Sequence, residues 1–323
     1  MIEEITENVK DQMSISSKFQ EFHQLIHQGF LKKLQFGEDR PYTKVDFSSD
    51  LNNRLDILNQ LHLLLTTQKS LDVNDCEFKK SVLVPIVLLC GENVQPSDWT
   101  TSQHIQISYI ILTVLKREIF KEDSMTKIFQ VHPEFLQWSL TELRLKLGSQ
   151  NEWKNYPGAQ YCFSWLLRQL NSFQNLPEFL PFVLKFGDDW EIKNKIFALH
   201  CLQHILENST KSDLVKFGYD QVLKSTLFQL LTFRELELCK VTFPVIFKFL
   251  KMCWPKIGNV QFLIHFMTFL YTRWRFVNYT KAKIVKIVYI QFIILTIYFS
   301  KKKIIEKFVK LCLHLCYTKL LSF

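Results

Sequence analysis

Glycine and proline are scarce in this chain, at 8 and 9 of 323 residues. So few turn-forming residues leave little room for the many tight connections of a sheet, and they favour long helices joined by short links. The Gly-rich loops that position phosphates and dinucleotides are missing as well: there is no Walker loop, no G-x-G-x-x-G and no G-x-S-x-G. Without those positioning elements the corresponding phosphate, hydride and serine chemistries have no footing, and no enzyme is expected. The eight cysteines include no C-x-x-C and sit mostly inside apolar runs such as "VPIVLLC", the pattern of buried free thiols in a reducing compartment. "MIEEITENVKDQ" has neither a basic start nor an apolar centre, so no secretory signal is expected there. These absences point to an intracellular protein, cytoplasmic with the nucleus as a second compartment, and to no cofactor.

What is present is apolar: 47% of the chain is hydrophobic, enough for a large core. The expected fold class is all-α. The formal charge of +9 is unevenly spread, with 27 basic against 30 acidic residues over 1–250 and 13 basic residues against Glu306 alone over 251–323. A mildly acidic body with a basic tail does not make the continuous cationic face that tracks a phosphate backbone, so nucleic acid is not an expected partner.

Helical periodicity dominates. Phe19, Phe22, Ile26 and Phe30 form one apolar stripe, and Leu51, Leu55, Leu58, Leu61 and Leu65 form another. Residues 34–50 and 89–103 carry Gly, Pro and Ser clusters and are expected to break the chain. From Ile105 a helix resumes, although Ile105, Ile107 and Tyr109 also alternate as a strand would. "LPEFLPFVLKFGDDWEIKNKIFALHCLQHILEN" predicts a helix ended by Gly187, then a capping box from Asp188 to Glu191, then a helix with Ile192, Ile196, Leu199, Leu202 and Leu206 on one face. Two helices joined by a tight turn make a helical hairpin, and 211–231 with 235–252 predicts the next pair about 40 residues on, the spacing of HEAT or armadillo units in an α-solenoid.

Candidate chemistry is thin. His200, Cys201 and His204 share a helix stretch beside Lys193, and His at i and i+4 could reach one ion, but no third ligand with recognisable spacing accompanies them. Cys312, His314 and Cys316 lack the spacing of a zinc knuckle. No metal site and no catalytic residue is expected. "GDDWEIKNK" supports two readings that coexist: Asp188 or Asp189 caps a helix N-terminus while Trp190 packs the turn, or an exposed acidic and aromatic turn docks a partner.

A resemblance emerges from three stretches. Trp153, Lys154, Pro157, Ala159, Phe163, Ser164 and Trp165 fall in "NEWKNYPGAQYCFSWLLRQL"; Asp188, Asp189 and Trp190 follow; then Cys201, Leu202, His204 and Ile205. With Trp99 in "PSDWTT", this pattern resembles the Tel-two-interacting protein two family, subunit of the Triple-T (TTT) co-chaperone complex, from about Trp99 to Lys240. The resemblance implies a non-catalytic α-solenoid scaffold. It implies two larger helical-repeat partners, and through them the ninety-kilodalton heat-shock chaperone and the phosphatidylinositol-kinase-related giant kinases. Trp153, Trp165, Asp188, Asp189, Trp190 and Lys193 become the candidate partner-contact residues, with plain helix packing the alternative for the two tryptophans of the first stretch.

The organisation expected is an N-terminal helical region over 1–95, a solenoid over 96–278 and an atypical tail over 279–323. In that tail 31 of 45 residues are Lys, Ile, Leu, Phe or Tyr, with one acid and no Gly or Pro. That is what AT-rich codons specify, and it raises the hypothesis of a mispredicted C-terminus in place of further charged helices; transcript sequencing across the junction near Phe276 tests it. The competing functions are a generic helical-repeat adaptor and membrane association through the apolar segments 257–272 and 287–299, which at 16 and 13 residues fall short of the roughly 20 a spanning helix needs.

Overall fold

The computed structural model describes residues 20–34, 42–67, 75–148, 152–172, 176–233 and 235–253. Among these every regular element is helical and no strand occurs, as the scarcity of turn residues predicts. The stretch from Ile105 therefore resolves as helix: its alternation is outweighed by buried positions four apart, Ile107 with Ile111 and Ser108 with Leu112. The chain divides into two compact units, residues 1–172 and 173–323. The expected division at residue 95 falls inside the first.

In the first unit, α1 spans 20–29 and buries Phe22 and Ile26. A 3-10 turn at Lys44–Phe47 precedes α2 (Leu51–Thr67). Asp75 accepts the backbone N–H groups of Glu77 and Phe78, starting a helical run that passes through a π turn at Lys79–Leu83 into α3 (Val84–Asn93). α4 (Ser102–Val114) ends in a second π turn at Leu115–Ile119. α5 (Met125–Val131), α6 (Pro133–Leu147) and α7 (Pro157–Arg168) complete the unit. α3 is its centre: it packs against α4, α6 and α7, and of its ten residues only Pro85 is not fully buried. The sequence places a chain break at residue 89, and the structure corrects this, because α3 continues through Gly91 to Asn93. Gly91 lies inside the helix because Trp165 leaves no room for a side chain: a Cβ there would sit 2.5 Å from Trp165 Cε3 and 2.9 Å from Cys162 Sγ.

The second unit contains α8 (Leu176–Asp188), α9 (Ile192–Glu207), α10 (Lys211–Lys216), α11 (Tyr219–Leu230) and α12 (Leu236–Cys253). α9 packs against α8 on one side and α12 on the other. Its buried face runs Asn194, Lys195, Ala198, Leu199, Cys201, Leu202, Ile205 and Leu206. The predicted stripe is therefore rotated: Ile192 and Ile196 are only half-buried, and a lysine and an asparagine take core positions. The segment 211–231, expected to be one helix, breaks at Gly218, whose φ of 69° is the left-handed conformation that glycine adopts without steric cost.

Candidate functional site

The aromatic stretch 152–170 builds a seam. Trp153 opens a 3-10 turn, Tyr156 N–H donates to its carbonyl at 3.0 Å, and Pro157 starts α7, where its missing N–H costs no hydrogen bond. From there Gly158, Ala159, Gln160, Cys162, Phe163, Ser164, Trp165, Leu166 and Leu167 are all buried. Trp153 and Trp165 are 3% and 6% exposed, so both tryptophans hold the first unit together.

Against this seam lies a buried polar cluster that the sequence reading missed. Arg54, on the apolar face of α2, donates from Nη2 to Glu92 Oε1 at 3.1 Å and to Asn93 Oδ1 at 2.9 Å, and from Nε to the Gly29 carbonyl at 3.1 Å. Glu92 Oε1 also accepts the Leu31 N–H at 2.7 Å, and the Trp99 indole N–H donates to the Glu92 carbonyl at 3.1 Å. Arg54 and Glu92 are 3% and 2% exposed. Burial works against both charges, pushing the Glu92 carboxyl up and the Arg54 guanidinium down, and each group partly offsets the other's shift. The signal was present: Arg54, Ile57, Leu61 and Leu65 follow helical spacing, which puts a charge on an apolar stripe.

His104 closes the same region. The Thr101 backbone N–H donates to His104 Nδ1 at 3.3 Å, so Nδ1 is the acceptor and Nε2–H donates to the Leu51 carbonyl at 3.1 Å. Burial, with the Arg54 charge nearby, holds the imidazole below its ordinary 6.5. A histidine depressed in the folded state contributes stability that is full above 6.5 and is lost as pH falls through that value toward the folded one. The melting temperature is therefore expected to drop between pH 7.5 and 5.5, and the drop to shrink in His104→Gln; equal pH slopes in parent and variant would contradict this.

In the second unit the segment Gly187–Asn194 differs from its sequence reading. α8 runs through Gly187 to Asp188, so Asp188 has helical backbone and cannot cap the next helix. The N-cap position of α9 belongs to Glu191, which makes no side-chain capping bond. The predicted box fails because a cap must be non-helical, and the preceding helix has already claimed Asp188. Asp189 is buried and ties the turn instead: Oδ1 accepts the Trp190 N–H at 2.7 Å and Oδ2 accepts from the Asn194 side-chain amide. Lys195, 4% exposed, donates to the Gly187 carbonyl at 3.1 Å and lies over the Phe233 ring, 4.6 Å from its centroid. Burial lowers the Lys195 ammonium from its ordinary range, and Asp188 and Asp189 offset part of this. Trp190 is 57% exposed, and Asp188 and Lys193 are exposed beside it.

The metal-like cluster does not converge. His200 is exposed while Cys201 is 2% exposed, and the Asn208 amide donates to the His204 carbonyl at 2.9 Å. Among the described residues no group of three His, Cys, Asp or Glu could hold a metal ion, and no helix is long and apolar enough to cross a membrane. Cys312, His314, Cys316 and the segments 257–272 and 287–299 lie outside the described residues.

Among the described residues the chain is a protein of packed helices, with Trp190 exposed on an internally tied turn. The model of the Tti2 family matches residues 139–296, just under half of the chain, and over this range the chain is similar to that family, as its tryptophan and Asp-Asp-Trp motifs lead one to expect. The matched range leaves out Trp99 and extends beyond Lys240, 18 residues into the tail. The chain is similar to human TELO2-interacting protein 2, with 39% identity over 77 residues, 23% of this chain and 15% of that protein. The rat protein of the same name is 35% identical over 83 residues, 25% of this chain and 16% of its own length. The chain thus aligns with about one sixth of the length of these relatives. No solved structure matches.

Proposed function

We propose that the chain is a non-catalytic scaffold subunit of the TTT co-chaperone complex. In this reading its helices stack as HEAT- or armadillo-like hairpins, α8 with α9 and α11 with α12, and present side chains to two larger helical-repeat subunits. The assembly assists maturation and stability of phosphatidylinositol-kinase-related kinases together with the ninety-kilodalton heat-shock chaperone. The observation that carries the reading is the family match over 139–296, which contains both the α7 seam and the Asp188–Trp190 turn. The relatives' printed name, TELO2-interacting protein 2, supports a role in binding rather than in chemistry.

The test is an affinity purification of the full tagged chain from cells of its source, read by mass spectrometry. Stoichiometric recovery of two large helical-repeat proteins, with giant kinases at lower yield, supports the proposal. Recovery of membrane or transport proteins in their place overturns it.

A further inference from the structure

Asp188, Asp189 and Trp190 are consecutive, yet the structure gives them different work. Asp189 is turned inward, its two oxygens spent on the Trp190 N–H and the Asn194 amide. On the other side of the turn Lys195 reaches from the buried face of α9 to the Gly187 carbonyl. The backbone that carries Trp190 is thus tied at both ends to the first turn of α9 before any partner arrives, and what it carries is an indole 57% exposed. An indole offers a large apolar area with only two side-chain torsions to freeze, and a backbone already fixed removes most of the remaining ordering cost of binding.

Asp188 supplies the polarity. It is the last residue of α8, at the negative end of the helix dipole, and Lys195, bound to the Gly187 carbonyl on the inner side of the turn, offsets part of that charge. A carboxylate there is poorly placed for helix stability, and its exposed negative locus is complementary to a cation.

We propose that Trp190 is the anchor of a protein-binding site at the α8–α9 turn, with Asp188 at its rim. The partner surface it fits presents an apolar slot sized for one indole with a basic side chain beside it. Asp189, Asn194 and Lys195 are positioning residues and touch nothing outside the chain. The inference rests on the scaffold reading above and goes further by assigning the contact to one side chain.

The experiment uses the full chain co-expressed with the two larger helical-repeat subunits, as the parent and as Trp190→Ala, Trp190→Phe, Asp188→Lys and Trp190→p-benzoylphenylalanine. Removing a tryptophan anchor is expected to weaken binding about 10- to 100-fold. Trp190→Phe should keep most of the affinity, and Asp188→Lys should slow association and flatten its salt dependence. Because Trp190 is exposed, the thermal melt of Trp190→Ala should match the parent, which separates lost binding from lost folding. Irradiation of the photoreactive variant should join it to one helical-repeat subunit at a peptide containing Lys or Arg. Binding of Trp190→Ala within twofold of the parent, or the absence of any subunit adduct at position 190, would sink the anchor and leave the scaffold reading standing. Failure of the parent itself to bind the subunits overturns both.

Discussion

Glu92→Ala is expected to destabilise the first unit by about 3–5 kcal/mol, the loss usual when one member of a buried ion pair is removed and the other stays in place without compensation. Arg54 would remain 3% exposed, and the Leu31 N–H would lose its acceptor as well. Urea unfolding followed by tryptophan fluorescence reads the loss. Glu92→Gln keeps an acceptor for Leu31 and should cost less. The double variant Arg54→Met with Glu92→Leu should be less damaging than the sum of its singles by roughly 1–3 kcal/mol, since it removes both charges together. Additive singles would show that the pair is not energetically coupled.

Gly158→Ala should be nearly as harmful, although it adds one methyl to a helix and alanine is the better helix former. A Cβ at position 158 would sit 2.3 Å from Glu92 Cδ. Elsewhere the end of a glutamate side chain could swing aside, but here Arg54 Nη2 and the Leu31 N–H hold it and the surrounding helices bury it. Either α7 moves away from α3 or Glu92 leaves Arg54. The first costs about 1–3 kcal/mol as overpacking, and the second approaches the cost of the broken pair. Far-UV circular dichroism should show helix content retained at 20 °C with the unfolding midpoint lowered. A variant as stable as the parent would mean that the seam is looser than its geometry.

Much of this fold was legible in the sequence. Periodicity located the helices because burial of one face leaves a record every three or four residues, and Pro157 marked the start of α7 because its fixed φ suits a first turn. Gly91 and Gly158 were opaque for a physical reason: one looks like a helix terminator and the other like part of a Pro-Gly turn, and only the partner helix reveals that each is a point of close approach. The Arg54–Glu92 pair was half visible, as a charge on an apolar stripe, but its mate stands 38 positions away and spacing along a chain says nothing about pairing at that range. At the candidate site, the sequence shows Trp190 and its acidic neighbours as one turn, but not their division of labour. Which of two adjacent aspartates turns inward depends on where α8 stops, and helix ends are the least determined part of any sequence reading.

The α3–α7 seam also sets a schedule. Glu92 and Arg54 are both out of the ribosome well before the surface that seals them from water, which arrives with Gly158, Cys162 and Trp165, some 66 residues after Glu92. At about 5–20 residues per second that is a wait of roughly 3–13 s. Throughout it the face of α3 that α7 later covers stands open on the nascent chain, within reach of whatever binds exposed hydrophobic surface.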